Sequence, residues 1–298
     1  MRSRPADYPL AAPLAAAAIW GGMYVVSKWG FAQVPPLALV FLRAALGAAV
    51  LLPVVRATKP ARDFSRRDLA EFGAIAVLLA VSLSTQFVGT DLTTAAQGSL
   101  VTVLTPVFTV GLGLVALEES FGRRKAAGAA LALAGTALVL AGQYDLSSLR
   151  SGAALGPGML VVAAATFAGY TAFGKRLIRD YSALEAATYA TTLAVPLFAL
   201  GAVAEYLWWD ATVTTVSWTP ALVAAVVYLG VVSTALAWYL WYKGMERADA
   251  SATAVAFFAQ PVVGVALGAL LLDEAVGLPF LAGGVVMAAG VYLVSTAE

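Results

Sequence analysis

Small and polar residues recur on one face of a long apolar stretch of this chain. Residues 92–117 contain Ser99, Thr102, Pro106 and Thr109, spaced by three and four residues so that they share a helical face. A proline inside a helix frees the carbonyl four residues before it, which here belongs to Thr102. In hydrocarbon such a carbonyl needs a partner in protein or water. We therefore predict a bent helix whose freed carbonyl faces a cavity and accepts a hydrogen bond from a substrate ammonium.

A second stretch, residues 249–272, repeats this arrangement around Pro261, which would free the carbonyl of Phe257. Small residues also allow two helices to approach closely, and we prefer this packing interpretation for Gly264 and Gly268. For the two prolines we prefer a cavity or hinge role, because both stretches share them. The predicted hinge or gating residues are Pro106, Pro261, Gly113, Gly268 and Arg43.

Other residues at membrane depth are polar or aromatic. Ser82 and Gln86 lie one turn apart, and each polar group could bond either a substrate or a neighbouring helix. Aromatic walls suit flat apolar ligands, although aromatic stripes more often pack a core. Phe167 and Tyr242 are further rings of this kind. The predicted substrate-binding residues are Trp20, Tyr24, Ser82, Gln86, Thr102, Tyr170, Trp238, Trp241, Phe257 and Gln260.

The elements that position these residues are apolar spans. The 298 residues are 61% hydrophobic and 12% charged, whereas a soluble domain has about 25% charged residues. About 20 apolar residues cross a bilayer, so the chain is predicted to be an all-α integral membrane protein. The ten predicted spans are 9–31, 35–56, 69–89, 92–117, 125–142, 154–177, 183–207, 219–243, 249–272 and 278–296.

The distribution of Lys and Arg predicts the orientation. Fifteen of the 18 basic residues fall in segments on the side of the N-terminus, Arg150 falls on the other side, and Lys28 and Arg43 lie within spans. Cytoplasmic loops carry this excess, so both termini are predicted to face the cytoplasm. Residues 1–20 also resemble a signal peptide. We prefer a first helix, because the apolar stretch continues through Val26 and matches a later segment.

The chain contains an internal repeat at an offset of 155 residues. Residues 95–140 align without gaps to residues 250–295. Five spans per half is an odd number, so the second copy would cross the membrane in the opposite sense, as in many secondary transporters. We predict one repeat over 9–142 and another over 154–296. The matched pairs include Pro106/Pro261, Gly113/Gly268, Glu119/Glu274, Gly128/Gly283 and Gly135/Gly290.

With PVF…LEE in one half answered by PVV…LDE in the other, the chain resembles the drug/metabolite transporter superfamily, and within it the EamA family. It looks most like the YddG-type aromatic amino acid exporters. The resemblance covers essentially the whole chain. It implies that the third, fourth, eighth and ninth helices line a central cavity, and that the first, second, sixth and seventh move as gates. It also implies a bacterial inner membrane.

Four charged residues near the spans need an interpretation. Lys28 and Arg43 lie within about two turns of the outer face and could snorkel to it, which we prefer. The alternative makes Arg43 a carboxylate partner or part of an outer gate. Glu119 and Glu274 precede the next helix in each repeat, where a carboxylate favours the helix N-terminus.

What the sequence lacks narrows its function. It has no Cys and no His, and its 17 carboxylates fall in loops or at span ends, so the groups of an intramembrane proton relay or enzyme are missing. Ion pores usually carry charged rings or a carbonyl filter. We predict uncoupled export of aromatic and other neutral amino acids through a cavity without ionised side chains. The alternative is another small neutral metabolite or a lipophilic drug. We expect no cofactor, metal or nucleic-acid partner, and no need for an oligomer.

Overall fold

The computed structural model describes residues 11–105, 107–109, 112, 122–141, 154–178, 180–208, 216–246, 256–257 and 259–295, and every regular element in them is helical. Each predicted span contains a described helix, although that helix covers only Ala95–Val101 of the span 92–117 and Ala259–Leu271 of the span 249–272. The helices are α1 Ala11–Phe31, α2 Pro36–Thr58, α3 Arg66–Asp91, α4 Ala95–Val101, α5 Arg123–Ala141, α6 Leu155–Leu177, α7 Ala183–Trp208, α8 Pro220–Met245, α9 Ala259–Leu271 and α10 Leu278–Ser295.

Five of these helices are long and apolar enough to cross a membrane: α2, α3, α7, α8 and the Leu155–Gly174 part of α6. The apolar parts of α5, α9 and α10 are shorter, at Ala126–Val139, Ala259–Leu271 and Leu278–Gly290. Within the described residues, the length criterion therefore supports a multi-pass membrane protein. The number of ten spans stays a prediction.

The two proline-containing stretches differ from the predicted bent helices. After α4 the chain continues as a 3₁₀ turn over Thr102–Leu104. Pro106 and Gly113 lie outside the described residues. Pro261 is the third residue of α9. Because the first-turn N–H groups of a helix have no intrahelical partner, a proline there breaks no helical hydrogen bond. The prediction of a mid-helix kink at Pro261 was therefore wrong.

Helix α8 contains a feature that was not predicted from the sequence. Its central nine residues, Tyr228–Leu236, form a π-helix between two α-helical ends. The hydroxyl of Thr234 donates to the carbonyl of Leu229, five residues earlier, at 2.7 Å. Widened turns of this kind alter which backbone and side-chain groups reach neighbouring helices, and they often occur at functional sites.

Helices that the repeat makes equivalent pack in antiparallel pairs. At the contact of α5 with α10, a side chain at Gly135 would meet the carbonyl of Gly283 at 2.7 Å, and one at Gly290 would meet that of Gly128 at 2.6 Å. From the first contact to the second, the residue number falls along α5 and rises along α10, so these helices run in opposite directions. Glycines at these crossings allow the backbones to touch. The pairs α4/α9 and α2/α7 also run antiparallel.

Carboxylates distant in sequence cap the N-termini of two helices, α2 and α4. Glu205 at the end of α7 accepts hydrogen bonds from the first amides of α2, at Leu37 (3.1 Å) and Ala38 (2.9 Å). Glu274 accepts from Ala95 (2.7 Å) and Ala96 (2.8 Å) at the start of α4. A cap was predicted for Glu274, but for the helix that follows it. The partner is instead a helix of the other half, and Glu119 lies outside the described residues.

Candidate functional site

A cavity lies at the centre of the helices, and both halves of the chain line it. Its walls come from α1, α2, α3, the 3₁₀ turn after α4, α6, α8 and the start of α9. The four helices implied by the family resemblance all contribute, but so do α1, α2 and α6. The lining residues are Trp20, Met23, Tyr24, Arg43, Ser82, Leu83, Gln86, Thr102, Thr105, Ala163, Phe167, Trp238, Phe257 and Gln260.

Eight of the ten predicted substrate-binding residues line this cavity, and Tyr170 and Trp241 do not. The hydroxyl of Tyr170 accepts a hydrogen bond from Tyr242 at 2.8 Å, and Trp241 packs on Trp20 with centroids 5.3 Å apart. Among the predicted hinge or gating residues, Arg43 lines the cavity and Pro261 follows the lining residue Gln260. Substrate contact by any of these residues remains a prediction.

Gly268 lies away from the cavity. A side chain there would meet a carboxylate oxygen of Glu274 at 2.6 Å, so the glycine leaves room for the cap on α4. At Gly264 a side chain would meet Ser99 at 2.5 Å. Both glycines therefore serve close packing of α9 against α4, as preferred from the sequence for this pair.

Aromatic rings form one wall of the cavity. The centroids of Trp20 and Trp238 are 4.8 Å apart, those of Phe167 and Trp238 5.7 Å, and those of Phe167 and Phe257 5.5 Å. The ring planes are tilted at 43° to 59°. Such offset and tilted arrangements are the ones that aromatic pairs prefer, and they present ring faces and edges to a flat ligand.

Three polar side chains that also line the cavity meet each other and join the two halves. The hydroxyls of Tyr24 and Thr102 are 2.8 Å apart. The side-chain amide of Gln260 donates to Thr102 at 2.7 Å and to Tyr24 at 3.3 Å. The side-chain carbonyl oxygen of Gln260 adds an acceptor to this group. We call Tyr24, Thr102 and Gln260 the polar triad.

The backbone carbonyls predicted to receive a substrate ammonium already have partners. The carbonyl of Thr102 accepts from the amide of Thr105 and from its hydroxyl, the latter at 2.7 Å. The carbonyl of Phe257 accepts from the amide of Gln260 at 3.1 Å. A carbonyl oxygen has two lone pairs, so Thr102 has none left. The prediction of free carbonyls is wrong for Thr102, because a 3₁₀ turn replaces the kinked helix.

Arg43 is the largest departure from the expectations. Its side chain has no exposed surface, so it does not snorkel to the outer face. Its Nε donates to Thr234 at 2.9 Å, and Nη2 donates to the carbonyl of Ser233 at 3.0 Å. The guanidinium lies 5.3 Å from the ring centroid of Phe87. The predicted cavity without ionised side chains is therefore wrong, because the π-helix of α8 offers Arg43 acceptors at membrane depth.

Lys28 behaves differently from Arg43. Its side chain is half-buried, and the ammonium donates to the carbonyls of Thr90 (3.3 Å) and Asp91 (2.6 Å) at the end of α3. The last carbonyls of a helix lack intrahelical partners and carry the negative end of its dipole. Lys28 therefore caps the C-terminal end of α3.

The cavity is contracted. Its free volume is about 20 Å³, which is room for roughly one water molecule. An amino acid is many times larger than this, so the aromatic wall or the helices that carry it must move before one can bind.

Four lining residues were not predicted: Met23, Leu83, Thr105 and Ala163. Leu83 and Ala163 are apolar and common in membrane helices, so their types carry no signal. Met23 could have been found from its place three residues after Trp20 on α1. Within the described ranges, no group of three or more Asp or Glu could hold a metal ion.

A helical membrane protein with a ligand-sized group of aromatic and polar side chains between two repeated halves has the architecture of a small-molecule transporter. The sequence model of the EamA-like transporter family matches twice, over residues 9–141 and 154–296. The chain belongs to this family.

Individual relatives agree with this assignment. The chain is 27% identical over 291 residues to an "Uncharacterized transporter" of Archaeoglobus fulgidus, with 94% of each chain covered. It is 27% identical over 286 residues to a "Probable amino-acid metabolite efflux pump" of Salmonella typhimurium, with 92% of this chain and 90% of the other covered. A solved crystal structure matches with a TM-score of 0.68 at 20% identity, over 96% of this chain and 95% of that one. The likeness to that structure concerns the fold.

Proposed function

We propose that this transporter exports aromatic and other neutral amino acids across the bacterial inner membrane by facilitated, uncoupled alternating access. The observation that carries the proposal is the cavity itself, which aromatic rings and the polar triad line together between the two halves. A ring and a polar head group are the two parts of an aromatic amino acid. The name of the Salmonella relative, an amino-acid metabolite efflux pump, points to the same class of substrate.

The proposed architecture is ten spans in two inverted five-helix repeats, with both termini cytoplasmic. The sequence repeat makes α5 and α10 equivalent helices, and the two run antiparallel. Two inverted repeats require equivalent helices to run in opposite directions, so this pairing supports the arrangement. The glycine contacts support it further. Gly135 lies against Gly283 and Gly290 against Gly128, and the 155-residue offset exchanges these two contacts. A two-fold axis in the membrane plane relates such repeats in secondary transporters.

The absence of a carboxylate from the cavity supports uncoupled transport. None of the described residues that line it is Asp or Glu, and the chain has no His. Proton relays in membranes usually need such groups. The buried carboxylates Glu185 and Glu205 lie at helix ends, where Glu205 bonds backbone amides and Glu185 bonds Arg62 and Ser182.

Counterflow into liposomes tests the proposal. The purified protein is reconstituted into liposomes loaded with unlabelled Phe, and uptake of labelled Phe, Tyr, Trp, Leu, Thr or a sugar is followed. We expect saturable uptake of the amino acids and none of the sugar. An imposed pH gradient should leave the final level of amino acid unchanged. Phe257→Ala removes a ring from the cavity wall and should slow uptake of Phe more than that of Thr.

Val262→Ala is the control, because Val262 lies on α9 near Phe257 with 69% of its surface exposed. It should leave all rates unchanged. Accumulation that follows the pH gradient would contradict the uncoupled mechanism. Uptake of a sugar or a lipophilic drug, with no uptake of any amino acid, would contradict the substrate class and favour the alternative.

A further inference from the structure

The cavity holds a positive charge for which the described residues provide no counter-ion. Arg43 is completely buried, and none of the ion pairs among the described residues includes it. Its contacts are the neutral groups of Ser233, Thr234 and Met23 and the ring face of Phe87. A cation at membrane depth costs several kcal/mol, so charged residues there usually pair with another charge or mark a substrate pathway.

The hydrogen bonds of Arg43 leave one side of the guanidinium weakly satisfied. Nε donates to Thr234 and Nη2 donates to the carbonyl and hydroxyl of Ser233. Nη1 donates to the sulfur of Met23, which also lines the cavity. A thioether is a weak acceptor. A carboxylate oxygen would therefore bind Nη1 much better than its present partner does.

A second donor on the cavity wall is also unused. The indole N–H of Trp238 is buried and has no hydrogen-bond partner among the described residues. Buried N–H groups without a partner are rare, because each forfeits a hydrogen bond to water. Nη1 of Arg43 and the indole N–H of Trp238 are thus two donors from lining residues that lack a strong acceptor, which suits the cavity to a ligand that supplies one.

We propose that the guanidinium of Arg43 binds the carboxylate of the transported molecule, which makes a carboxylate the primary requirement for recognition. This inference rests on the proposed transport of amino acids. It identifies the guanidinium as the group that recognises the carboxylate common to all of them. The carboxylate supplies the missing negative charge, and one of its oxygens can replace the sulfur of Met23 as the acceptor of Nη1. A cationic ligand would instead add a second positive charge to a poorly screened space, so amines and cationic drugs are excluded.

Binding to the purified wild-type protein tests this requirement directly. Thermal stabilisation and tryptophan fluorescence are measured with 3-phenylpropionate, which has only the carboxylate, and with phenethylamine, which has only the ammonium. Phenylalaninamide and Phe complete the series. We expect 3-phenylpropionate and Phe to bind about ten- to a hundredfold more tightly than the two compounds without a carboxylate, which is the usual range for one charge-assisted hydrogen-bonded contact. Equal or tighter binding of phenethylamine would overturn the proposal.

Variants then assign the requirement to Arg43. Arg43→Gln should abolish the preference for carboxylates. Arg43→Lys should keep the preference with weaker binding, because an ammonium retains the charge but cannot bond Thr234 and Ser233 as Nε and Nη2 do while also donating to the ligand. Arg56→Gln is the matched control, since Arg56 lies on the same helix but is exposed. If Arg43→Gln does not fold, the ligand series with the wild-type protein still tests the requirement for a carboxylate, and Arg43→Lys still tests the role of Arg43. Unchanged carboxylate preference in a folded Arg43→Gln would contradict the assignment.

The two proposals fail in different ways. If carboxylates bind through Arg43 but no amino acid shows counterflow, the proposed substrate is wrong and the role of Arg43 stands. If amino acids show counterflow but amines bind as well as acids, the proposed function stands and the role of Arg43 is wrong.

Discussion

The hydroxyl of Thr102 uses its full hydrogen-bonding capacity at the centre of the cavity. It accepts from the amide of Gln260 at 2.7 Å, lies 2.8 Å from the hydroxyl of Tyr24, and can donate to the carbonyl of Gly98 at 3.1 Å. One hydroxyl offers one donor and two acceptor positions. It therefore links α1 to α9 through a single atom, Oγ1 of Thr102.

Replacing this hydroxyl by a methyl group should destabilise the fold. Thr102→Val keeps the side-chain volume but removes the acceptor of Gln260 and Tyr24, and we expect a loss of about 1–3 kcal/mol for buried polar groups left without a partner. The measurement is the temperature of unfolding in detergent. Thr85→Val is the control, because the hydroxyl of Thr85 donates only to carbonyls of its own helix, those of Val81 and Ser82. Equal unfolding temperatures for the two variants would contradict a structural role for the triad.

At the scale of elements, the contact between α5 and α10 depends on glycine. A side chain at Gly135 would collide with the backbone of Met287 and Gly283, and one at Gly283 would collide with Val139. The colliding atoms are mostly backbone, so they cannot turn aside as a flexible side chain does. The two helices approach closely enough for dispersion contacts between their main chains.

Gly135→Ala should therefore separate α5 from α10 and lower the unfolding temperature. Gly73→Ala is the matched control, because no atom lies within 4 Å of a side chain added at Gly73 on α3. Alanine is favoured over glycine inside a helix by about 0.5–1 kcal/mol, so Gly73→Ala should raise the unfolding temperature slightly. An unfolding temperature of Gly135→Ala equal to or above that of the wild type would contradict the close contact.

The positions of the helices were predicted from the sequence better than their boundaries and the residues that they contact. Apolar runs and breaks were enough to place the helices, because their positions depend on local composition. The polar and aromatic candidates also converge on one cavity, since such residues are few at this depth. Arg43 was misjudged because its acceptors, Ser233 and Thr234, follow 190 and 191 residues later in the chain. Glu274 was assigned to the wrong helix for the same reason, as its partners lie 178 and 179 residues away.

At the scale of the whole molecule, the halves are held together near the helix ends by carboxylate caps that cross between them. Glu205 in the second half caps α2 in the first, and Glu274 caps α4. In the proposed topology these two caps lie on the outer side. On the other side, Arg62 in the loop after α2 pairs with Glu185 of α7 at 2.7 Å.

The proposed topology can be tested by labelling, because the chain has no cysteine of its own. One cysteine is introduced at a time, as Ala32→Cys or Ala61→Cys. Ala32 lies between α1 and α2, Ala61 lies between α2 and α3, and both residues are exposed. A membrane-impermeant maleimide should label Ala32→Cys in intact cells, and Ala61→Cys only after permeabilisation, because Lys and Arg concentrate in cytoplasmic loops. The reverse pattern would contradict the orientation, and labelling of both in intact cells would mean that α2 does not cross.

The small free volume at the centre has a consequence for the energy supply of the cell. Protons and ions leak through membrane proteins along continuous files of water, and a space of about 20 Å³ holds roughly one molecule of such a file. Rings of Trp20, Phe167, Trp238 and Phe257 line the same space. A space this small would interrupt such a file, so we expect little proton leakage through the cavity in this conformation. A cell could then keep the protein in its membrane without discharging its proton-motive force through that route.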